Sequence, residues 1–161
     1  MRVLAIQYGN HDCSACIYDG EIKNYFLEER YSGKKHDLHH FEIYKNLLRV
    51  KDPVDLIVLC YFGDRTFMYD GGLKYLNMFL KAYKKKHGKI PKVIKDKRHH
   101  LAHAAGAYYN SGFDKALVMV VDGSGSLDKL SFEAESIYVA EGLKFKEIYK
   151  NFIKLFPENM D

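Results

Sequence analysis

A chain of 161 residues, 47% hydrophobic and 29% charged, is long enough for a buried core and too apolar to be disordered. The formal charge of +4 is mild; it suits an anionic substrate without demanding nucleic acid. No apolar run approaches membrane-spanning length, so no membrane partner is expected.

The N-terminus turns polar after five or six residues and does not resemble a signal peptide. Three cysteines are an odd number and fit reduced thiols in the cytoplasm.

In chain order, residues 2–8 form a short apolar run typical of a buried strand, broken by Gly9-Asn10-His11-Asp12. Residues 13–18 read as a second strand, Asp19-Gly20 as a hairpin turn, and residues 21–28 as a third strand. The chain therefore opens on a three-stranded antiparallel meander. Arg30 to Asp37 reads as a polar loop. A helix is expected over 38–50, ended by Pro53. A buried strand follows at 55–61. Residues 71–87 make an amphipathic helix with Leu73, Leu76, Phe79, Leu80 and Tyr83 inside and a basic end. Lys92 to Lys95 makes a short strand.

The stretch from Arg98 to Ser126 reads as a helix, a turn, a buried strand and a glycine-rich loop. His99 and His103 are four residues apart, so on a helix they stand one above the other on one face. Two neutral imidazoles so placed form half of a metal site. Asp122, at the end of the apolar run 116–121, could supply the third ligand. A His pair at this spacing is also often only a solvated face. The small residues Ala102, Ala104, Ala105, Gly106 and Ala107 favour burial, because they let the helix pack closely. The Asp-Gly-Ser-Gly loop adds backbone N–H groups of the kind that bind anions.

After Asp122 the opening pattern recurs: a glycine loop at 123–130, a strand at 132–140, Glu141-Gly142, and a strand at 143–149. This implies one α/β unit over 1–113 and the opening meander of a second, incomplete unit over 114–161. Such duplicated units bind a nucleotide and a substrate in the cleft between them, and a complete cleft is expected to need more polypeptide.

Four segments carry a resemblance. They are Tyr8-Gly-Asn-His-Asp-Cys-Ser-Ala, Glu28-Glu-Arg-Tyr-Ser-Gly-Lys-Lys-His-Asp, the stretch from His99 to Asp114, and Val121-Asp-Gly-Ser-Gly. In order and spacing the chain resembles the N-terminal part of the ATP-dependent O-carbamoyltransferases of antibiotic and nodulation-factor biosynthesis. These are relatives of the tRNA threonylcarbamoyladenosine synthases and of the hydrogenase-maturation carbamoyltransferase. The similarity spans residues 1 to about 126 and fades beyond.

The resemblance implies the actin-like, Hsp70-like (ribonuclease H-like) fold, with a mixed five-stranded sheet and flanking helices. It also implies a two-step reaction. Carbamoyl phosphate and ATP give carbamoyl-adenylate, and the carbamoyl group passes to an acceptor hydroxyl. Iron or a similar divalent ion would be held by His99, His103 and Asp122, with a further aspartate usually supplied from far downstream. His11 would accept the acceptor's proton and Asp12 would orient it. Lys35 would hold a carbamoyl or phosphate oxygen, and Gly123, Ser124 and Gly125 would approach the phosphates as backbone donors.

Competing readings are a non-catalytic remnant or binding module of the same fold, and a nucleic-acid accessory protein using the basic segment from Lys81 to Arg98. Cys13 and Cys16 are expected to be packed thiols, and His36, His39 and His40 a surface cluster. The partners implied are small-molecule substrates, an acceptor with a free hydroxyl, and a C-terminal half carried on another chain.

Overall fold

The structure is a computed structural model. It describes residues 1–8, 12–37, 39–61, 72–123, 125–128 and 130–154. They form two compact units, Met1–Asp96 and Lys97–Asp161.

In the first unit, β1 (Val3–Tyr8), β2 (Ser14–Tyr18) and β3 (Ile22–Leu27) make the expected antiparallel meander. Gly20, at φ 78°, closes the β2–β3 turn in the left-handed region that favours glycine. β4 (Leu56–Tyr61) adds parallel to β1, and β5 (Lys92–Asp96) parallel to β4, giving the order β3-β2-β1-β4-β5. This is the mixed five-stranded sheet expected of the fold.

Among the described residues three helices accompany it: α1 (Glu28–Ser32), α2 (Phe41–Leu47) and α3 (Gly72–His87). Leu76, Phe79 and Tyr83 recur at helical spacing along α3 and join Ile43, Tyr44 and Leu47 of α2 in one core with Leu4, Ile6, Ile17, Ile57 and Leu59 of the sheet. The Tyr83 hydroxyl also accepts Val54 N–H from the turn before β4 at 2.7 Å, so the ring packs while its oxygen is satisfied.

Helix α1 replaces the beginning of the polar loop expected from Arg30, and Glu28 belongs to it rather than to β3. The reason is tertiary. Glu28 is 1% exposed, and its carboxylate accepts the N–H groups of Glu42 and Ile43 at 2.9 and 2.8 Å. It thereby caps the start of α2 from another helix. Gly33, at φ 71°, ends α1.

The second unit begins with α4 (His99–Ser111), followed by β6 (Lys115–Val121), the short β7 (Leu127–Asp128), β8 (Ser131–Glu141) and β9 (Lys144–Lys154). β6, β8 and β9 repeat the antiparallel meander of β1, β2 and β3. The sequence boundary at 113/114 falls after α4. The compact units divide before it, because α4 packs on β6 and β8.

His100, Ala104 and Tyr108 line the inner face of α4 at successive turns, with Ala104 fully buried against a cluster containing Val118, Val120, Tyr138 and Ala140. The Tyr108 hydroxyl donates to Asp114 C=O at 2.6 Å and accepts Gly142 N–H at 2.9 Å, tying the end of the helix to the β8–β9 turn.

Strand β6 corrects an expectation. It is buried on one face only: Val118 and Val120 are each 8% exposed, while Leu117, Met119 and Val121 are 68%, 61% and 67% exposed. Helix α4 covers the face that carries Val118, and strand alternation turns the other three side chains away from it. Among the described residues no helix is long and apolar enough to cross a membrane.

Candidate metal centre

The helix spacing and the strand end together bring three ligand-type side chains of the second unit to one point. His99 Nε2 lies 2.7 Å from Asp122 Oδ2 and 3.0 Å from His103 Nε2. His103 Nε2 lies 3.9 Å from the same Asp122 oxygen. The ligand atoms of all three fall within 4.8 Å of one another.

A divalent ion with bonds of about 2.1 Å holds its neighbours roughly 3.0–3.4 Å apart, depending on geometry. The observed separations straddle that range, so small side-chain rotations would seat an ion. Two imidazoles and a carboxylate make a donor set that would suit iron without singling it out. The donor set is two imidazole nitrogens and one carboxylate oxygen, and a cation would take the place of the hydrogen bonds that join them. The residues present therefore fit a divalent metal.

Electrostatics agree. Burial and the neighbouring His103 hold His99 below the ordinary imidazole range, although Asp122 pulls it up. A neutral His99 is the form that ligates. The side chains of His99 and Asp122 are 16% and 31% exposed, and that of His103 is 57% exposed. The small residues of α4 therefore do not bury both imidazoles.

The deeply buried imidazole is His100. Its Nδ1 meets Ser136 Oγ at 2.7 Å, and among the described residues its buried Nε2 has no hydrogen-bond partner. Burial pushes His100 toward the neutral form. Its ring lies against Gly125, where a Cβ would stand 2.6 Å from Nε2 and 2.8 Å from Glu133 Cβ.

That contact revises the role of one loop glycine. Gly125 N–H donates to Glu133 C=O at 2.7 Å, so this donor is already engaged rather than offered to a phosphate. The glycine is needed for the close approach to His100. Gly123 has open space around its Cα. Ser124 lies outside the described residues.

His11 also lies outside the described residues. Asp12 is described, and its carboxylate accepts from His36 Nδ1 at 2.8 Å. Asp12 and His36 both hold positive φ, 56° and 55°. Glu29 completes this group by accepting His36 N–H at 3.2 Å. Lys35 is exposed on the same loop.

The three histidines expected as one surface cluster serve separate partners. His36 goes to Asp12, and His39 Nδ1 to Asp37 at 2.7 Å. His40 is buried and donates from Nε2 to Gln7 C=O at 2.8 Å. Within the basic segment, Lys86 donates to the carbonyls of Leu48 and Val50 at 2.5 and 2.6 Å, so it finishes α2 as well as carrying charge.

Sequence reasoning missed His100, Glu133, Ser136 and Lys150. The spacing of His100, Ala104 and Tyr108 was the available signal, since it is the inward stripe of α4.

Comparison with known proteins bears on this arrangement. YeaZ from Pseudomonas aeruginosa is similar to the chain at 14% identity and TM-score 0.50, covering 100% of the chain and 72% of that structure. An uncharacterized protein with similarity to peptidase YEAZ from Pseudomonas aeruginosa matches at 15% identity and TM-score 0.52, with 95% and 66% covered. A Ppx/GppA enzyme from Aquifex aeolicus matches at 16% identity and TM-score 0.46, with 96% and 52% covered. The chain spans about half the length of the Ppx/GppA structures it matches. The fold is α/β and actin-like. The family model for the carbamoyltransferase N-terminus matches residues 60–147, more than half of the chain and the whole of the His99–Asp122 region. The chain belongs to the carbamoyltransferase N-terminal family.

Proposed function

We propose that the protein takes part in ATP-dependent O-carbamoyl transfer from carbamoyl phosphate, through carbamoyl-adenylate, to the hydroxyl of a small-molecule acceptor. The observation that carries this reading is the convergence of His99, His103 and Asp122 within 4.8 Å, inside the segment that the family model matches.

His99, His103 and Asp122 would hold a divalent metal, iron being the expected choice. Bound there, such an ion would supply positive charge beside nucleotide phosphates and a fixed point for orienting them. The chain's own residues do the rest. Asp122 keeps His99 in register, and the neutral state of His99 preserves its lone pair. In the transfer step the acceptor oxygen bonds to the carbamoyl carbon, the bond from that carbon to the adenylate oxygen breaks, and AMP leaves. The acceptor's proton needs a base, and His11 is the candidate. The pairing of Asp12 with His36 gives Asp12 a role in holding its own loop to the loop that carries Lys35. Lys35, exposed there, would meet a carbamoyl or phosphate oxygen as a point charge.

The test is carbamoyl phosphate-dependent release of pyrophosphate from ATP, with any polypeptide that completes the nucleotide pocket supplied. The expected result is release that His99→Ala reduces at least about 100-fold, the scale of losing a metal-held electrostatic contribution of several kcal/mol. Release that is absent in the completed protein, or indifferent to His99→Ala, contradicts the reading.

A further inference from the structure

We propose that Glu133, anchored by Lys150, is a positioning residue that sets the spacing of the His99–His103–Asp122 centre; this inference rests on the metal reading above. Glu133 is 7% exposed on β8. A carboxylate that deep must be partnered. One oxygen accepts from Lys150 Nζ at 2.8 Å and the other from Ser126 N–H at 3.0 Å. Burial alone would raise its pKa, but Lys150 and the Ser126 amide outweigh that and hold it below the usual carboxylate range. Glu133 is thus an anion fixed by two partners, neither of them a candidate metal ligand.

What it fixes is the loop that follows Asp122. Besides the side-chain bond, Gly125 N–H donates to Glu133 C=O at 2.7 Å, and Glu133 N–H donates to Ser126 C=O at 3.1 Å. Residues 125 and 126 are therefore pinned to Glu133 by three hydrogen bonds. Ser126 passes the constraint to α4: its hydroxyl donates to Lys97 C=O and accepts His99 N–H at 3.3 Å. At the other end of the loop, Asp122 N–H donates to Ala134 C=O at 2.9 Å, one residue along β8. His99 and Asp122 consequently hang on the same short piece of β8, and His103 follows one turn along α4. Partners behind the ligands in this way commonly alter metal affinity about 10–100-fold.

The experiment is a Co(II) titration of the purified protein, reading both Kd and the visible absorption bands. It compares wild type with His103→Ala, Glu133→Ala, Glu133→Gln and Ser126→Ala, and melting temperature is measured in parallel. The expected result is a Kd raised about 10–100-fold and shifted bands for Glu133→Ala, with affinity largely recovered in Glu133→Gln, which keeps an oxygen for Ser126 N–H. A lower melting temperature with unchanged Kd and bands would show a structural role only and overturn the proposal. Should Glu133→Ala not fold, Ser126→Ala carries the same expectation, since it cuts the link to His99 and leaves the Glu133–Lys150 pair in place. Unchanged affinity in Ser126→Ala would then overturn it. Wild type binding no Co(II) would remove the metal reading and this proposal together. Binding that His103→Ala weakens but Glu133 and Ser126 variants leave intact overturns the positioning role alone.

Discussion

The meander β1–β2–β3 and the meander β6–β8–β9 share one strand pattern and solve burial differently. Among the described residues, the core around the first contains fifteen buried apolar residues, and the cluster around the second contains six. The first unit adds two parallel strands and lays α2 and α3 into that core. The second has α4 on one face of its sheet, and the space beneath it is shared with polar groups: His100, Ser136 and Glu133 are all buried there. The unit that carries the His99–His103–Asp122 cluster thus holds it with hydrogen bonds and the Glu133–Lys150 ion pair, beside a smaller apolar cluster. Such an interior is costly when partly broken and rigid when complete.

Core truncation should separate the two units most. Ile6 is 0% exposed, and Ile6→Ala should destabilise the first unit by about 2–5 kcal/mol, read from chemical denaturation. Val118→Ala removes less from a smaller cluster and should cost less. An equal loss would show that the two cores contribute alike.

Acid should act next, and on the first unit. Burial pushes His40 down to about 4. Its neutral form is the folded one, so the contribution is complete above an unfolded pKa of about 6.5 and is lost as pH falls from there toward 4. The shift corresponds to roughly 3 kcal/mol. His40→Gln should flatten the decline in stability across that window; a decline of the same slope in the variant would sink this assignment.

A smaller effect is expected from Gly125→Ala, whose methyl meets His100 and Glu133 at 2.6–2.8 Å. Both neighbours are buried, so the loop must shift, at about 1–3 kcal/mol in thermal unfolding. The smallest is Leu117→Ser. At 68% exposed, this side chain should change stability by no more than about 0.5 kcal/mol, whereas a large loss would mean that the outer face of β6 is covered.

Much of this was legible in the sequence. The turns at Asp19-Gly20 and Glu141-Gly142 marked both hairpins, and Gly20 and Gly142 take φ 78° and 56° there. The four-residue spacing of His99 and His103 and the strand-end position of Asp122 were enough to bring three ligand-type side chains together. Helix α1 was not legible, because Glu28 is helical for the sake of the N–H groups of α2, a tertiary demand that local pattern does not carry. The one-sided burial of β6 was hidden by an unbroken apolar run, which reads the same whether one face is packed or two. Gly125 looked like a phosphate donor because glycine serves both anion loops and close packing, and the ring it packs against is 25 residues upstream. His100 was overshadowed by its neighbour His99, although only the former points along the buried stripe.

Metal content decides most directly whether His99, His103 and Asp122 bind an ion. Elemental analysis of the purified protein beside His103→Ala should find about one divalent ion per chain in wild type and a large loss in the folded variant. Equal content in the two proteins, or none in either, would contradict the claim that these imidazoles and Asp122 form a metal centre.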